Sequence, residues 1–393
     1  MSLTKPQADG VKKAVQFYLN YKPDNKKPFI ISGVAGSGKT FSVKYIINEL
    51  GIPQHKVAFM AYTGKAVDVM NQNGTSAKTI HSTCYNCRTI KDKETGKPVF
   101  IKDLKDNLKD MYALFVIDEV SMVTDDIFAD LLSLGIPLIG LGDHNQLPPV
   151  GHNKCHDYVL NPDVRLEESI RHKDGNYILT LAEEVLQSPY LKVGHYGDNV
   201  KIVNNASRSV FKNADQIICN TNKMRSIISR KLRGYRGIDT SETPLPVAGD
   251  KLMSKINQWT RSINSEMGWG ELYLINGLIG YSVDDFNSNN NTLNFKPYYH
   301  KSVAFDEVKT DFIPFVEETD KIDRNIMVEN LYEYGLHTFE YAYAITVHSS
   351  QGSEFDDVVL FLRDLWGNSA MRKKLLYTGI TRAKKNLTVI LGN

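Results

Sequence analysis

The chain has 393 residues, enough for two or three domains with sizeable cores, and its 42% hydrophobic and 23% charged content is that of an ordinary globular protein. Forty-seven Lys and Arg stand against 45 Asp and Glu; the net charge of +2 neither predicts nor excludes a nucleic-acid partner, so any basic surface is local. No apolar run approaches a membrane span, the first ten residues are too polar for a signal peptide, and four cysteines are too few for a disulfide scaffold, so a cytoplasmic protein without a membrane partner is expected.

Residues 29–40 read as a short buried strand running into a loop that fits G-x-x-x-x-G-K-[ST], with Gly33, Gly38, Lys39 and Thr40 at the fixed positions. Gly33, Gly36 and Gly38 let a loop that also contains Ala35 and Ser37 turn its backbone N–H groups inward on phosphate oxygens. The apolar spacing of Val43, Ile46, Ile47 and Leu50 predicts a following helix, stopped by Gly51, whose positive N-terminus adds to the cradle. Lys39 then neutralises the outer phosphates of ATP, and Thr40 offers its hydroxyl to Mg2+.

Further along, a strand at 57–62, a helix from Gly64, a strand at 113–118, a helix carrying Ile127, Phe128, Leu131 and Leu132 on one face, and a strand at 137–142 continue the alternation of a parallel sheet. A polar stretch at 85–104 interrupts it and reads as a hairpin. Cys84 and Cys87 form a C-x-x-C with His81 upstream, but no second ligand pair accompanies them, so ordinary thiols are expected. A second α/β series begins near Asp215, with a strand at 216–220 and a helix carrying Met224, Ile227, Ile228 and Leu232. It resumes with a strand at 357–362, a helix at 370–377 and a strand at 387–391. Between its halves, short alternating runs with Asn-rich turns mark a small β insertion. The fold class is therefore α/β.

Asp118 and Glu119 end an apolar strand, at the edge where a parallel sheet presents its functional groups. One acid can hold Mg2+ through water while the other orients or deprotonates an attacking water, as phosphoryl transfer to water needs. The loop at 142–150 comes after the next strand, and its Gln146 can read the γ-phosphate while Pro148 and Pro149 stiffen the segment beyond it.

With these residues the chain resembles the superfamily 1 helicases, and within them the RecD and phage Dda branch, superfamily 1B. The resemblance places motif I at 33–40, motif Ia at 61–66, motif Ib at 78–82, motif II at 118–122, motif III at 142–150, motif IV at 166–171, motif V at 346–354 and motif VI at 377–383. Tyr62 departs from the Pro often found before the motif Ia Thr. The resemblance implies two RecA-like P-loop NTPase domains, one from 1–84 and 105–160, the other from 161–250 and 335–393. It also implies a hairpin pin at 85–104 and a β-rich, SH3-like insertion at 251–334.

By the same resemblance Gln7 meets adenine, Gly352 and Glu354 lie with the nucleotide, and Arg171 and Arg382 are arginine fingers that stabilise charge on the transferring phosphoryl group. Thr63, Lys65, Thr79, His81, Asn220, Thr346 and His348 are implied contacts to a nucleic-acid backbone, Pro149 and Val150 to bases, and Phe100 to the first unpaired base at the pin. The implied activity is an ATP-dependent, 5′-to-3′ DNA helicase serving replication, recombination or repair. Its implied partners are single-stranded DNA, single-strand to duplex junctions and single-strand-binding or replication proteins, with a monomer as the working unit. The residues themselves leave open an RNA helicase, a translocase that displaces proteins without strand separation, and a clamp that holds ATP without turnover.

Overall fold

The computed structural model describes residues 3–392 except 25, 92–97, 150, 153, 168–175, 265–270, 299, 301, 311–330, 332–333, 364 and 366, and gives backbone only for 72, 88–91, 98–100, 259–260 and 271. The first sheet contains β1 (Phe29–Gly33), β2 (Val57–Ala61) and β3 (Ala77–Thr79). The hairpin β4 (Tyr85–Lys91) and β5 (Pro98–Leu104) leaves it, and β6 (Leu114–Asp118), β7 (Leu138–Gly142) and β8 (Val164–Leu166) complete it. Its order is β3-β2-β6-β7-β1-β8 and every pairing is parallel. Parallel strands buried on both faces demand continuous apolar runs, and Phe29, Ile30, Ile31, Leu114, Phe115, Val116, Leu138 and Ile139 supply them. Because β6, β7 and β1 are neighbours, the ends that carry Asp118, Asp143 and Gly33 lie side by side along one edge.

The second sheet is built from β9 (Gly194–Tyr196), β10 (Val200–Val203) and β11 (Gln216–Cys219), and later β19 (Ala344–Thr346), β20 (Phe355–Phe361) and β21 (Ala383–Ile390). It runs β19-β11-β20-β21-β10-β9, parallel except for the β9 edge. The helix Ser369–Ile380 crosses from β20 to β21, and Arg382 follows it. The insertion comprises β12 (Lys251–Ser254), β13 (Gln258–Asn264), β14 (Glu271–Leu274), β15 (Ile279–Ser282), β16 (Thr292–Pro297), β17 (Phe305–Lys309) and β18 (Phe339–Tyr341). Five of these form an antiparallel sheet over a core of Leu252, Leu293, Phe295, Phe305 and Phe339, while β13 and β14 pair separately.

Two boundaries read from the sequence move. The first sheet extends past residue 160, because β8 pairs with β1 and Asp163 accepts the Ile30 N–H at 2.9 Å and donates its own N–H to the Ile30 carbonyl at 3.0 Å. The insertion extends past residue 334, because β18 pairs with β12 and Phe339 fills the insertion's own core. Ile227 is 48% exposed and faces away from the buried stripe of Met224, Ile228 and Leu232 on its helix.

The join between the second sheet and the insertion depends on a buried ion pair. Arg233 is fully buried, its Nε donates to Asp250 Oδ2 at 3.0 Å, and its Nη groups donate to the Thr243 and Leu245 carbonyls. Asp250 also accepts from Arg236 Nη1 at 2.7 Å and the Tyr343 hydroxyl at 2.6 Å. Removing Arg233 leaves Asp250 with the partly exposed Arg236 as its remaining counter-charge and strips the donor from two carbonyls, so Arg233→Ala is expected to cost about 3 kcal/mol. Calorimetry should show the melting temperature falling by several degrees, whereas an unchanged transition contradicts this role for the pair.

Candidate nucleotide cleft and nucleic-acid surface

The phosphate loop leaves β1 and enters the helix Lys39–Leu50 through Gly38, which is left-handed at φ 78°; Gly36 is likewise at 75°. A Cβ on Gly33 would stand 2.4 Å from Ser37 Oγ and 2.9 Å from Leu166 Cβ, so only glycine lets the chain pass beneath the loop. Lys39 Nζ donates to the Gly33 and Val34 carbonyls at 2.7 and 3.1 Å, held inside the cradle. Thr40 Oγ1 donates to Asp118 Oδ2 at 3.4 Å, which puts the two expected Mg2+ ligands side by side.

Gln7 is buried under the loop. Its Oε1 accepts the Thr4 N–H and its Nε2 donates to the Ser37 carbonyl, both at 2.9 Å, so the amide fastens the first helix, Lys5–Leu19, to the phosphate loop.

Beyond β6, Glu119 adopts φ 52°, a left-handed conformation that costs a non-glycine residue of order 1 kcal/mol and that clusters at functional sites. Its N–H donates to Asp118 Oδ1 at 2.8 Å. Burial pushes the Glu119 carboxyl up to about 7; Arg382 opposes that rise, Asp118 and Asp143 add to it, and Lys39 also opposes it. Burial raises the Asp118 pKa as well, against the Glu119 N–H, Lys39 and Thr40, with the Glu354 charge contributing to the rise. Arg382, from the second sheet, is thus the strongest single charge acting on the acid of the first.

Arg382 is 3% exposed; its Nε donates to the Thr378 carbonyl, its Nη1 to the Ser353 carbonyl and its Nη2 to Thr381 Oγ1, at 3.0 to 3.1 Å. Gln146 is also buried, and its Oε1 has no hydrogen-bond partner among the described residues, as is true of Ser37 Oγ. Buried polar atoms that lack partners cost free energy unless something else fills the site. With the cradle and the paired acids, they fit a nucleoside triphosphate and its Mg2+: Gly33 to Thr40 would hold the phosphates, and Thr40 and Asp118 the metal ion.

The surface residues behave differently. Thr63 Oγ1 accepts the Ala66 N–H at 3.3 Å and Thr79 Oγ1 the Ser82 N–H at 3.1 Å, each capping a helix, and Thr346 Oγ1 accepts the Ser349 N–H at 3.2 Å in the turn after β19. Asn220 is buried and donates to the Arg363 carbonyl at 3.0 Å. His81 packs its ring near Tyr62 and Tyr85, His348 is partly buried and lowered in pKa by burial, and Pro149 is buried.

Lys65, expected on a phosphate, is instead buried between the domains. Its Nζ donates to the Ser349 carbonyl at 2.6 Å and lies 4.0 Å from Met253 Sδ; burial, helped by Lys255 and Lys251, lowers its pKa to about 7. Gly352, expected at the nucleotide, faces Thr63 and Ala66, where a Cβ would meet Thr63 Oγ1 at 3.1 Å; it packs motif V on motif Ia. Arg171 and Val150 lie outside the described residues, as does the side chain of Phe100 in β5.

Sequence reasoning missed the role of the pair that ties the two domains together. The Tyr377 hydroxyl, from the second domain, donates to Asp143 Oδ2 and accepts the Ala35 N–H at 3.2 Å. Both residues sit inside motifs that were read, yet nothing in either string says that they meet.

Comparison with known proteins matches residues 20–152 to an AAA domain and residues 341–390 to a UvrD-like helicase C-terminal domain. The RecBCD enzyme subunit RecD of Buchnera aphidicola is 25% identical over 93% of this chain and 70% of its own length. The chain is thus similar to a helicase subunit over most of its length. The uncharacterized protein MJ1519 of Methanocaldococcus jannaschii is 27% identical over 92% of this chain, which spans only 36% of that protein. A crystal structure of a Bacteroides Pif1 helicase with ADP-AlF3 and single-stranded DNA superposes with a TM-score of 0.53 at 18% identity, over 99% of this chain and 92% of that one. That likeness establishes the fold: two RecA-like domains, which correspond to the two six-stranded sheets of this chain.

Lys39→Ala is expected to abolish ATP binding, measured with a fluorescent nucleotide. If Glu119 is the base, it acts when deprotonated, so kcat/KM for ATP should rise with pH through a limb near 7. Glu119→Gln should lower kcat by about 10² to 10⁴. A flat profile from pH 6 to 8, or a fully active Gln variant, contradicts the assignment.

Proposed function

We propose that this chain is an ATP-dependent DNA helicase that hydrolyses ATP in the cleft between its two RecA-like domains and moves 5′-to-3′ along single-stranded DNA, separating duplex ahead of it. The reading rests chiefly on one observation: Tyr377 of the second domain bonds Asp143 and the Ala35 N–H of the phosphate loop, which sets the turn carrying Arg382 against the first domain's acids, and the Arg382 charge holds down the Glu119 pKa. Neither domain holds a complete catalytic set, so hydrolysis is tied to the relative position of the domains, and cycles of closing and opening become steps along a strand.

In this scheme the loop N–H groups and Lys39 bind and orient the phosphates. Glu119 takes the proton of the attacking water, Gln146 turns its unpartnered oxygen toward that water, and Arg382 neutralises charge as it develops. Thr40 and Asp118 would hold Mg2+, which would supply charge neutralisation to the phosphates. The hairpin β4–β5 would serve as the strand-splitting pin, a reading supported by the anchoring of its base to the helix Asp125–Ser133 through Tyr85 Oη to Asp130 Oδ2 at 2.8 Å and Lys102 Nζ to Asp126 Oδ2 at 2.6 Å. The RecD and Pif1 names of the relatives support DNA as the track, and the branch they belong to supports the polarity.

Arg382→Ala should lower the DNA-stimulated kcat by about 10³ or more while ATP still binds. Strand separation measured on forked duplexes with a single 5′ or 3′ tail should proceed from the 5′ tail alone. Separation from the 3′ tail reverses the polarity, and hydrolysis without separation from either leaves a translocase.

A further inference from the structure

Four first-domain groups that face the second domain are held by two adjacent residues of the helix Ser369–Ile380 and by one glutamine of motif V. Tyr377 Oη accepts from Ala35 N in the phosphate loop and donates to Asp143 at the end of β7. Thr378 Oγ1 accepts from Leu147 N at 3.1 Å, and Gln351 Nε2 donates to the Leu147 carbonyl at 2.9 Å. Tyr377, Thr378 and Asp143 are all 1% exposed or less, so these bonds form out of competition with water. The Thr378 carbonyl in turn accepts from Arg382 Nε at 3.0 Å, which joins the anchored turn to the arginine directly.

We infer that Tyr377 is a positioning residue: its hydroxyl fixes the register of the Ser369–Ile380 helix on the phosphate loop and on Asp143, so that Arg382 arrives opposite Glu119. This rests on the proposed role of Arg382 and deepens it. The phenol suits the task because one oxygen both donates and accepts, linking two first-domain loops that carry opposite hydrogen-bonding character. Burial and the Asp143 carboxylate hold its pKa well above the ordinary value, so the proton that binds Asp143 is retained at every working pH. Asp143 is also one of the charges that Glu119 feels, so a helix that slips on Asp143 disturbs the acid as well as the arginine.

The test is steady-state ATPase of the full chain with saturating oligo-dT, in a cycle of wild type, Y377F, R382A and the double variant, with fluorescent-nucleotide binding in parallel. Y377F, which removes both hydrogen bonds of the hydroxyl, should lower kcat about tenfold or more, while KM and nucleotide affinity stay within about threefold. In the R382A background the same change should have little further effect, since there is no guanidinium left to position. T378V, which cuts the neighbouring bond to Leu147, should show the same pattern in smaller measure and serves if Y377F does not fold.

A kcat unchanged in Y377F, an equal loss in both backgrounds, or a KM that rises in step with the loss of kcat overturns the inference while leaving Arg382 in place. An R382A variant with wild-type kcat overturns the proposed function itself, and the inference with it.

Discussion

The structure depends on a charge arrangement that neither domain can complete. Lys39, Asp118, Glu119 and Asp143 crowd the C-terminal edge of one parallel sheet, where burial raises the pKa of Asp118 and Glu119, and the Arg382 guanidinium that opposes the rise at Glu119 comes from the second domain. Burying like charges together is unfavourable unless opposite charge or a ligand compensates. The domain interface is therefore part of the proposed site, and hydrolysis there would require the two halves to be held in register.

Hydrogen bonds across the interface help to secure the register, beside apolar contacts such as Leu147 in the second domain's core. Tyr377, Thr378 and Gln351 reach into the loops after β1 and β7, and Lys65 reaches the other way into motif V. Such contacts are directional and few, so they can be exchanged for contacts to a nucleotide or a strand at modest cost. Lys65 shows the same logic from the opposite side: an ammonium buried against a carbonyl with its pKa near 7 is a group whose environment changes if the domains part.

Much of this was legible in the chain, and the reasons differ from residue to residue. The phosphate loop could be read because its glycines are dictated by backbone geometry, and the structure puts Gly36 and Gly38 in the left-handed region and closes Gly33 against Ser37 and Leu166. That Asp118 and Glu119 follow a buried strand could be read from the apolar run before them, and the hairpin from the polar stretch that interrupts the alternation. Domain limits were harder: β8 and β18 are three residues each, too short to leave a periodic signal, and they join sheets by pairing with strands far away in sequence. The hydroxyls of Thr63, Thr79 and Thr346 were read as hands for a phosphate, and each accepts a nearby backbone N–H, a local role that the same residue type fills as readily. Tyr377 could not be read at all, since its partners lie more than 230 residues away and no spacing rule reports a tertiary hydrogen bond.

The most direct test of a hydrolytic site shared between two domains is a structure of the chain with ADP, Mg2+ and aluminium fluoride. The account predicts the Arg382 guanidinium within ~3 Å of the fluoride group, facing Lys39 across it. An Arg382 still bonded to Ser353 and Thr378, with solvent between it and the fluoride, would contradict the account.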